Sequence, residues 1–134
     1  MAYVSYDGGV QSVWVVPFVN RAGTSGARWR VSGSSGGSLP LWSPNGRELY
    51  YVSSSNVLTA VEVGTKGQAF QNGASRSLFP IEGAQLQGGY VAWPYAVAKD
   101  DQRFLVMLSG GRSATGPDSE LVRIEVDWTA RLDR

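Results

Sequence analysis

The chain is expected to be an all-β protein, and three observations predict it. Seventeen glycines and six prolines are spread along 134 residues and cut the chain into short apolar runs, a spacing that suits strands and turns better than helices. The runs are rich in Val, Tyr, Trp, Leu and Phe, which fit a pleated, half-buried surface. The clearest of them flank Ser43-Pro44-Asn45-Gly46, where Pro44 fixes φ and Asn45-Gly46 supply left-handed positions for a tight turn. With 43% apolar and 17% charged residues, the chain has the material for one modest core.

Taken in order, residues 1–6 form a strand that ends at the turn cluster Asp7-Gly8-Gly9. Residues 12–18 form a second, with Pro17 at an edge or bulge, and the two should pair as a hairpin. A loop over residues 20–27 leads to a short strand at 28–32, with Trp29 and Val31 on one face. Residues 33–38 are a Gly/Ser connector. The tight turn is entered through Leu41 and Trp42 and left through residues 49–52. Residues 57–63 are the next strand, closed by Gly64-Thr65-Lys66-Gly67. Phe70 and Gly73 read as loop, and residues 75–80 as a short strand ended by Pro80. After a loop at 82–89, residues 90–97 are extended, Pro94 arguing against a helix. Residues 99–102 turn the chain into a strand at 103–108. A Gly/Ser/Pro loop at 110–119 precedes the last strand, 120–128.

These segments repeat. Leu49-Tyr50-Tyr51-Val52-Ser53 overlays Met1-Ala2-Tyr3-Val4-Ser5, and Asp100-Asp101-Gln102-Arg103-Phe104-Leu105-Val106 overlays Asn45-Gly46-Arg47-Glu48-Leu49-Tyr50-Tyr51. Leu58-Thr59-Ala60-Val61-Glu62-Val63 likewise overlays Leu121-Val122-Arg123-Ile124-Glu125-Val126. Spacings of about 48 to 63 residues suit four-stranded propeller blades with variable loops.

Trp42-Ser43-Pro44-Asn45-Gly46-Arg47-Glu48-Leu49-Tyr50-Tyr51 resembles the W-S-P-D-G-R-x-L-x-Y signature of TolB-like (WD-repeat-like) β-propellers. Most of the chain is similar to the C-terminal propeller part of bacterial serine/threonine kinase-like sensor proteins. Departures are Asn45 for the usual Asp, and Asp100-Asp101 where Asp-Gly is expected; both keep turn-forming residues. The resemblance implies a non-catalytic module, a platform for binding a protein or small ligand or for sensing. It also implies a bacterial protein, extracytoplasmic as part of a longer chain, although the residues themselves leave the compartment open. No kinase Gly-rich loop, H-R-D or D-F-G element is present, so phosphoryl transfer is not carried over.

On this reading residues 1–32 are an incomplete blade lacking its inner strand, 39–80 a complete blade, and 90–128 an incomplete blade lacking its outer strand. That is about two and a half blades, where a ring needs about four or more. Bare faces and open edges are liabilities. The expected partner is therefore the chain itself, most simply a head-to-tail homodimer of about five blades. The bland alternative is an excised piece whose sheets open into something else.

Other classes are narrowed by composition. A net charge of +1 gives no pull toward nucleic acid or anionic membrane, and no run is long enough to cross a bilayer. Residues 1–6 read as strand with no signal-peptide pattern before them. Ten arginines against two lysines are scattered and not striped. There is no Cys, hence no disulfide, and no His, which removes the commonest general base and zinc ligand. Gly33-Ser34-Ser35-Gly36-Gly37 matches G-x-S-x-G literally, but without a following helix or a histidine it reads as a connector.

Trp14, Trp29 and Trp42 are assigned to blade core. Tyr90, Trp93 and Tyr95, beside Pro94, can line a groove and stack on a sugar or peptide, and Arg112 can meet an anion. Asp100 and Asp101 are turn formers that also offer oxygen ligands to a hard cation such as Ca²⁺; Asp118 and Glu120 offer the same more weakly. No other cofactor is expected. The alternative function is a metal-assisted hydrolase, its carboxylates gathered at the channel of an oligomeric propeller.

Overall fold

The computed structural model describes residues 1–17, 27–66, 69–81 and 93–106. The all-β expectation holds: the described residues form strands and turns and contain no helix. The strands are β1 (Ala2–Asp7), β2 (Val10–Val15), β3 (Trp29–Arg30), β4 (Gly37–Trp42), β5 (Glu48–Ser53), β6 (Val57–Lys66), β7 (Ala69–Pro80), β8 (Tyr95–Val97) and β9 (Phe104–Val106). They build a three-stranded sheet β1-β2-β3, a four-stranded sheet β4-β5-β6-β7 and a two-stranded sheet β8-β9, each neighbouring pair antiparallel. The chain divides into two compact units, Met1–Pro80 and Ile81–Arg134.

The predicted first hairpin forms. Asp7 pairs with Val10 across Gly8 and Gly9, and the register runs without interruption to Ala2 opposite Val15. The predicted complete blade is a four-stranded meander in chain order. One expectation needs correction. The loop placed at residues 64–67 and around Phe70 and Gly73 is strand at Gly64, Thr65, Lys66, Phe70 and Gly73. A register shift between Val61 and Val63 lets the β6–β7 ribbon keep pairing past Gly73, and Gly64 pairs with Gln71 in regular register. A Cβ on Gly73 would stand 2.9 Å from the Glu62 Cβ, so this glycine serves a close approach inside the ribbon. The predicted last strand, 120–128, lies outside the described residues.

The first unit is two sheets stacked through one core. Strand alternation puts Ala2 and Val4 on one face of the three-stranded sheet with Val13 and Val15, and leaves Tyr3 and Trp14 on the other. In the four-stranded sheet, Leu49, Tyr51 and Val61 share one face, and Tyr50, Val52, Leu58 and Ala60 the other. Val13, Val15 and Val31 of the first sheet and its flank meet Leu49, Tyr51 and Val61 of the second, with Ala2, Val4, Trp29, Trp42, Val63 and Phe70 around them. Each fully buried aliphatic side chain here stabilises by about 1.5–3 kcal/mol relative to exposure. The outer strands are pinned as well: the Trp29 and Phe70 rings lie 5.4 Å apart, and Asn72 Nδ2 donates to Arg30 O at 2.9 Å. Of the three tryptophans assigned to core, Trp29 and Trp42 border this cluster, whereas Trp14 sits half-buried on the opposite face.

In the sequence overlay Tyr3 falls on Tyr51, and Ala2 and Val4 fall on Tyr50 and Val52. The face that the first sheet presses onto the second is therefore the counterpart of the second sheet's far face. The stacking is like against unlike. That far face is itself buried: Tyr50, Val52, Leu58 and Ala60 are each 3% exposed or less.

In the second unit, β8 and β9 pair as a hairpin with Tyr95 opposite Val106 and Val97 opposite Phe104. Tyr95, Phe104 and Val106 are buried, and Leu105 between them is exposed.

Candidate functional site

The signature turn is a closed hydrogen-bond system. Gly46 N–H donates to Ser43 O and Ser43 N–H to Glu48 O, both at 2.9 Å. Ser43 Oγ accepts the Glu48 N–H at 2.9 Å and donates to Asn45 Oδ1 at 3.0 Å, and Asn45 Oδ1 also accepts the Arg47 N–H at 2.7 Å. The residues of the motif are thus used on the motif itself. Their polar atoms set the β4–β5 corner, and Glu48 beyond it accepts from Tyr50 Oη at 2.8 Å and from Arg76 at 3.2 Å.

The second turn repeats the first. Asp101 N–H donates to Ala98 O at 3.0 Å and Ala98 N–H to Arg103 O at 2.9 Å. Asp100 Oδ1 accepts the Gln102 N–H at 3.1 Å, and Oδ2 is held by Arg103 at 2.8 Å. The Gln102 N–H, first, and the Arg103 guanidinium hold the Asp100 carboxyl below its ordinary value against the opposing effect of desolvation. Both carboxylate oxygens therefore act inside the turn. Among the described residues, no three acidic side chains gather in the manner of a metal site.

Of the residues assigned to a ligand groove, Trp93 is 48% exposed just before β8, and Tyr95 is buried at 3%. Alternation along the strand gives a reason: Tyr95 stands opposite Val106 on the buried face of the hairpin. Tyr90 and Arg112 lie outside the described residues, as do Asp118 and Glu120.

A further feature is the outward face of the three-stranded sheet. Tyr3 pairs with Trp14, and Trp14 with Arg30. The Arg28 guanidinium lies over the Trp14 ring, 4.4 Å from its centroid. Arg30 Nη2 donates to Ser12 Oγ at 2.9 Å and to Ser34 O at 3.4 Å. The Trp14 indole N–H and the Arg30 Nε–H find no acceptor among the described residues. In sequence these arginines look scattered. The signal that finds them is the alternation in Arg28-Trp29-Arg30-Val31: once Trp29 and Val31 face the core, both arginines face away.

In comparisons with protein-family models, with curated proteins and with solved structures, nothing matches this chain.

Proposed function

We propose that the chain is a TolB-like (WD-repeat-like) β-propeller fragment, a non-catalytic platform that binds a protein or small ligand and completes its ring by pairing with further copies of itself. The observation that carries this reading is the like-against-unlike stacking of the first two sheets. A contact of that kind repeats head to tail, and it closes into a ring when the rotation per step allows. The four-stranded meander and the twice-used turn support it, since a propeller is a radial repeat of such sheets. The counterpart of the packed face Leu49-Tyr51-Val61 is the outward face of the first sheet. There Met1 is 62% exposed where its counterpart Leu49 is 0% exposed. A face equivalent to a packed one is where the next copy sits, and connecting loops such as the segment at exposed Trp93 are where a ligand sits.

Light scattering on the wild-type chain and on Trp14→Arg tests this, with circular dichroism to verify that the variant folds. The expected result is a multimer for the wild type and a smaller species for the variant. Equal masses for the two chains would remove the outward face from the assembly.

A further inference from the structure

We propose that Asn45 is a site of spontaneous chemical modification, at which the Gly46 nitrogen attacks the side-chain amide. The second Asn-Gly pair of the chain, Asn72-Gly73, is held out of the same reaction by its place in β7.

An asparagine followed by glycine is the pair most open to this attack, because glycine has no side chain to shield its nitrogen and turns freely about its backbone. The chain contains two such pairs, Asn45-Gly46 and Asn72-Gly73. They share one local chemistry, so the fold is what distinguishes them.

The turn brings the reacting atoms together. Arg47 N–H donates to Asn45 Oδ1 at 2.7 Å, which closes a ring containing both the side-chain carbon Cγ and the Gly46 nitrogen. Ser43 Oγ donates to the same oxygen at 3.0 Å. Attack at Cγ moves negative charge onto Oδ1, and these two donors already point at it, in the manner of an oxyanion hole. Pro44, Asn45 and Gly46 are exposed, so water reaches the site. No atom lies within 4 Å of where a Cβ of Gly46 would stand, so the peptide has room to rotate. The opposing feature is the bond from Gly46 N–H to Ser43 O at 2.9 Å, which must open first. It is a single bond at an exposed turn, and such bonds open locally without unfolding the sheet.

Asn72 is placed the other way. It pairs with Val63 in β7, where the side chain stands off the sheet face while backbone N–H groups lie along the sheet. Its Nδ2 donates to Arg30 O at 2.9 Å, so the group that must leave is anchored to another strand. A Cβ on Gly73 would stand 2.9 Å from Glu62 Cβ, so this peptide lacks room to swing.

The step balances without oxidant, reductant or cofactor. The Gly46 N–Cγ bond forms and the Cγ–Nδ2 bond breaks. The Gly46 amide proton passes to solvent, and Nδ2 takes up a proton and leaves as ammonia. Water then opens the imide ring. Opening at Cγ leaves aspartate at position 45, an acceptor of the kind Asp100 provides in the second turn. Opening at the backbone carbonyl leaves isoaspartate, which routes the main chain through Cγ and displaces the acceptor from the β4–β5 corner.

The test is incubation of the intact chain, folded and in urea, at mildly alkaline pH, followed by brief trypsin digestion and mass spectrometry. Peptides 31–47 and 67–76 each hold one of the two pairs. In the folded chain the amide-to-acid mass gain is expected in 31–47 at least about tenfold faster than in 67–76, since the second site must first give up a hydrogen bond and its strand geometry. In urea the two rates should converge. Gly46→Ala should slow conversion at position 45 about tenfold or more and leave 67–76 unchanged; if that variant does not fold, the wild-type comparison still decides. Methyl transfer by an isoaspartate methyltransferase should label 31–47 from the folded chain. Equal rates in the folded chain, faster conversion in 67–76, or a 31–47 peptide that stays intact overturns the proposal. A rate ratio unchanged in urea overturns it as well, because the difference would then belong to the sequence and not to the fold.

Discussion

Asn45 and Asp100 hold the same place in two copies of one turn. Each accepts a backbone N–H two residues on through its Oδ1, from Arg47 at 2.7 Å and from Gln102 at 3.1 Å. In each copy the next residue has positive φ, 72° at Gly46 and 57° at Asp101. The side-chain bond mimics a backbone turn and sets the corner before the strand pairs. Only an acceptor at this position is required, which is why Asn and Asp both serve.

Asn45→Asp should therefore leave stability nearly unchanged, and Asn45→Ala should cost about 1 kcal/mol, the worth of a typical net hydrogen bond. Urea unfolding of both variants checks this. Equal losses for the two would mean that shape, and not the acceptor, is what matters.

Gly46→Ala should cost about 1–2 kcal/mol from backbone conformation alone. No atom lies within 4 Å of the position a Cβ would take, so crowding adds nothing. A Gly46→Asn variant, which reproduces the side-chain class tolerated at Asp101, should recover part of the loss in the same unfolding assay.

Acid should weaken the second turn by a route that can be isolated. The folded-state value of Asp100 is depressed, so its contribution is present above the ordinary carboxylate range, at about pH 4, and is lost as pH falls through the folded value. Asp100→Asn should flatten the part of the stability–pH curve below about pH 4 that belongs to this group. An NMR titration giving an ordinary or raised value for Asp100 would contradict the hydrogen-bond assignment.

Leu49→Ala should destabilise the first unit by about 2–5 kcal/mol, because its fully buried side chain lies between the two sheets and leaves a cavity there. Leu105→Ala, at the 43% exposed position of β9, should change stability by about 0.5 kcal/mol or less. Paired thermal melts of the two variants test the assignment of faces.

Much of the fold was legible because its signals are local. Asp7-Gly8-Gly9 marks the first hairpin, Pro44-Asn45-Gly46 marks the second, and the repeated Tyr-Val-Ser segments mark equivalent strands. The β6–β7 ribbon was misread around Gly64 and Gly73. A glycine at a bulge and a glycine in a turn look alike in sequence, and the cross-strand neighbour Glu62 decides between them. Tyr95 was grouped with Trp93 by proximity, yet Tyr95 lies inside β8 on the buried face of its hairpin, whereas Trp93 precedes the strand and is exposed. The stack of Arg28 on Trp14 was missed because it depends on pairing between β2 and β3 across a loop, which no short motif records.

The mass of the intact chain in dilute solution tests the stacked-blade reading most directly. One copy weighs 14.4 kDa. The expected result by native mass spectrometry is an integer multiple of that mass, twofold in the simplest ring, persisting as the sample is diluted. A folded species of 14.4 kDa at every concentration would contradict it, because the outward face of the first sheet would then have no further copy seated on it.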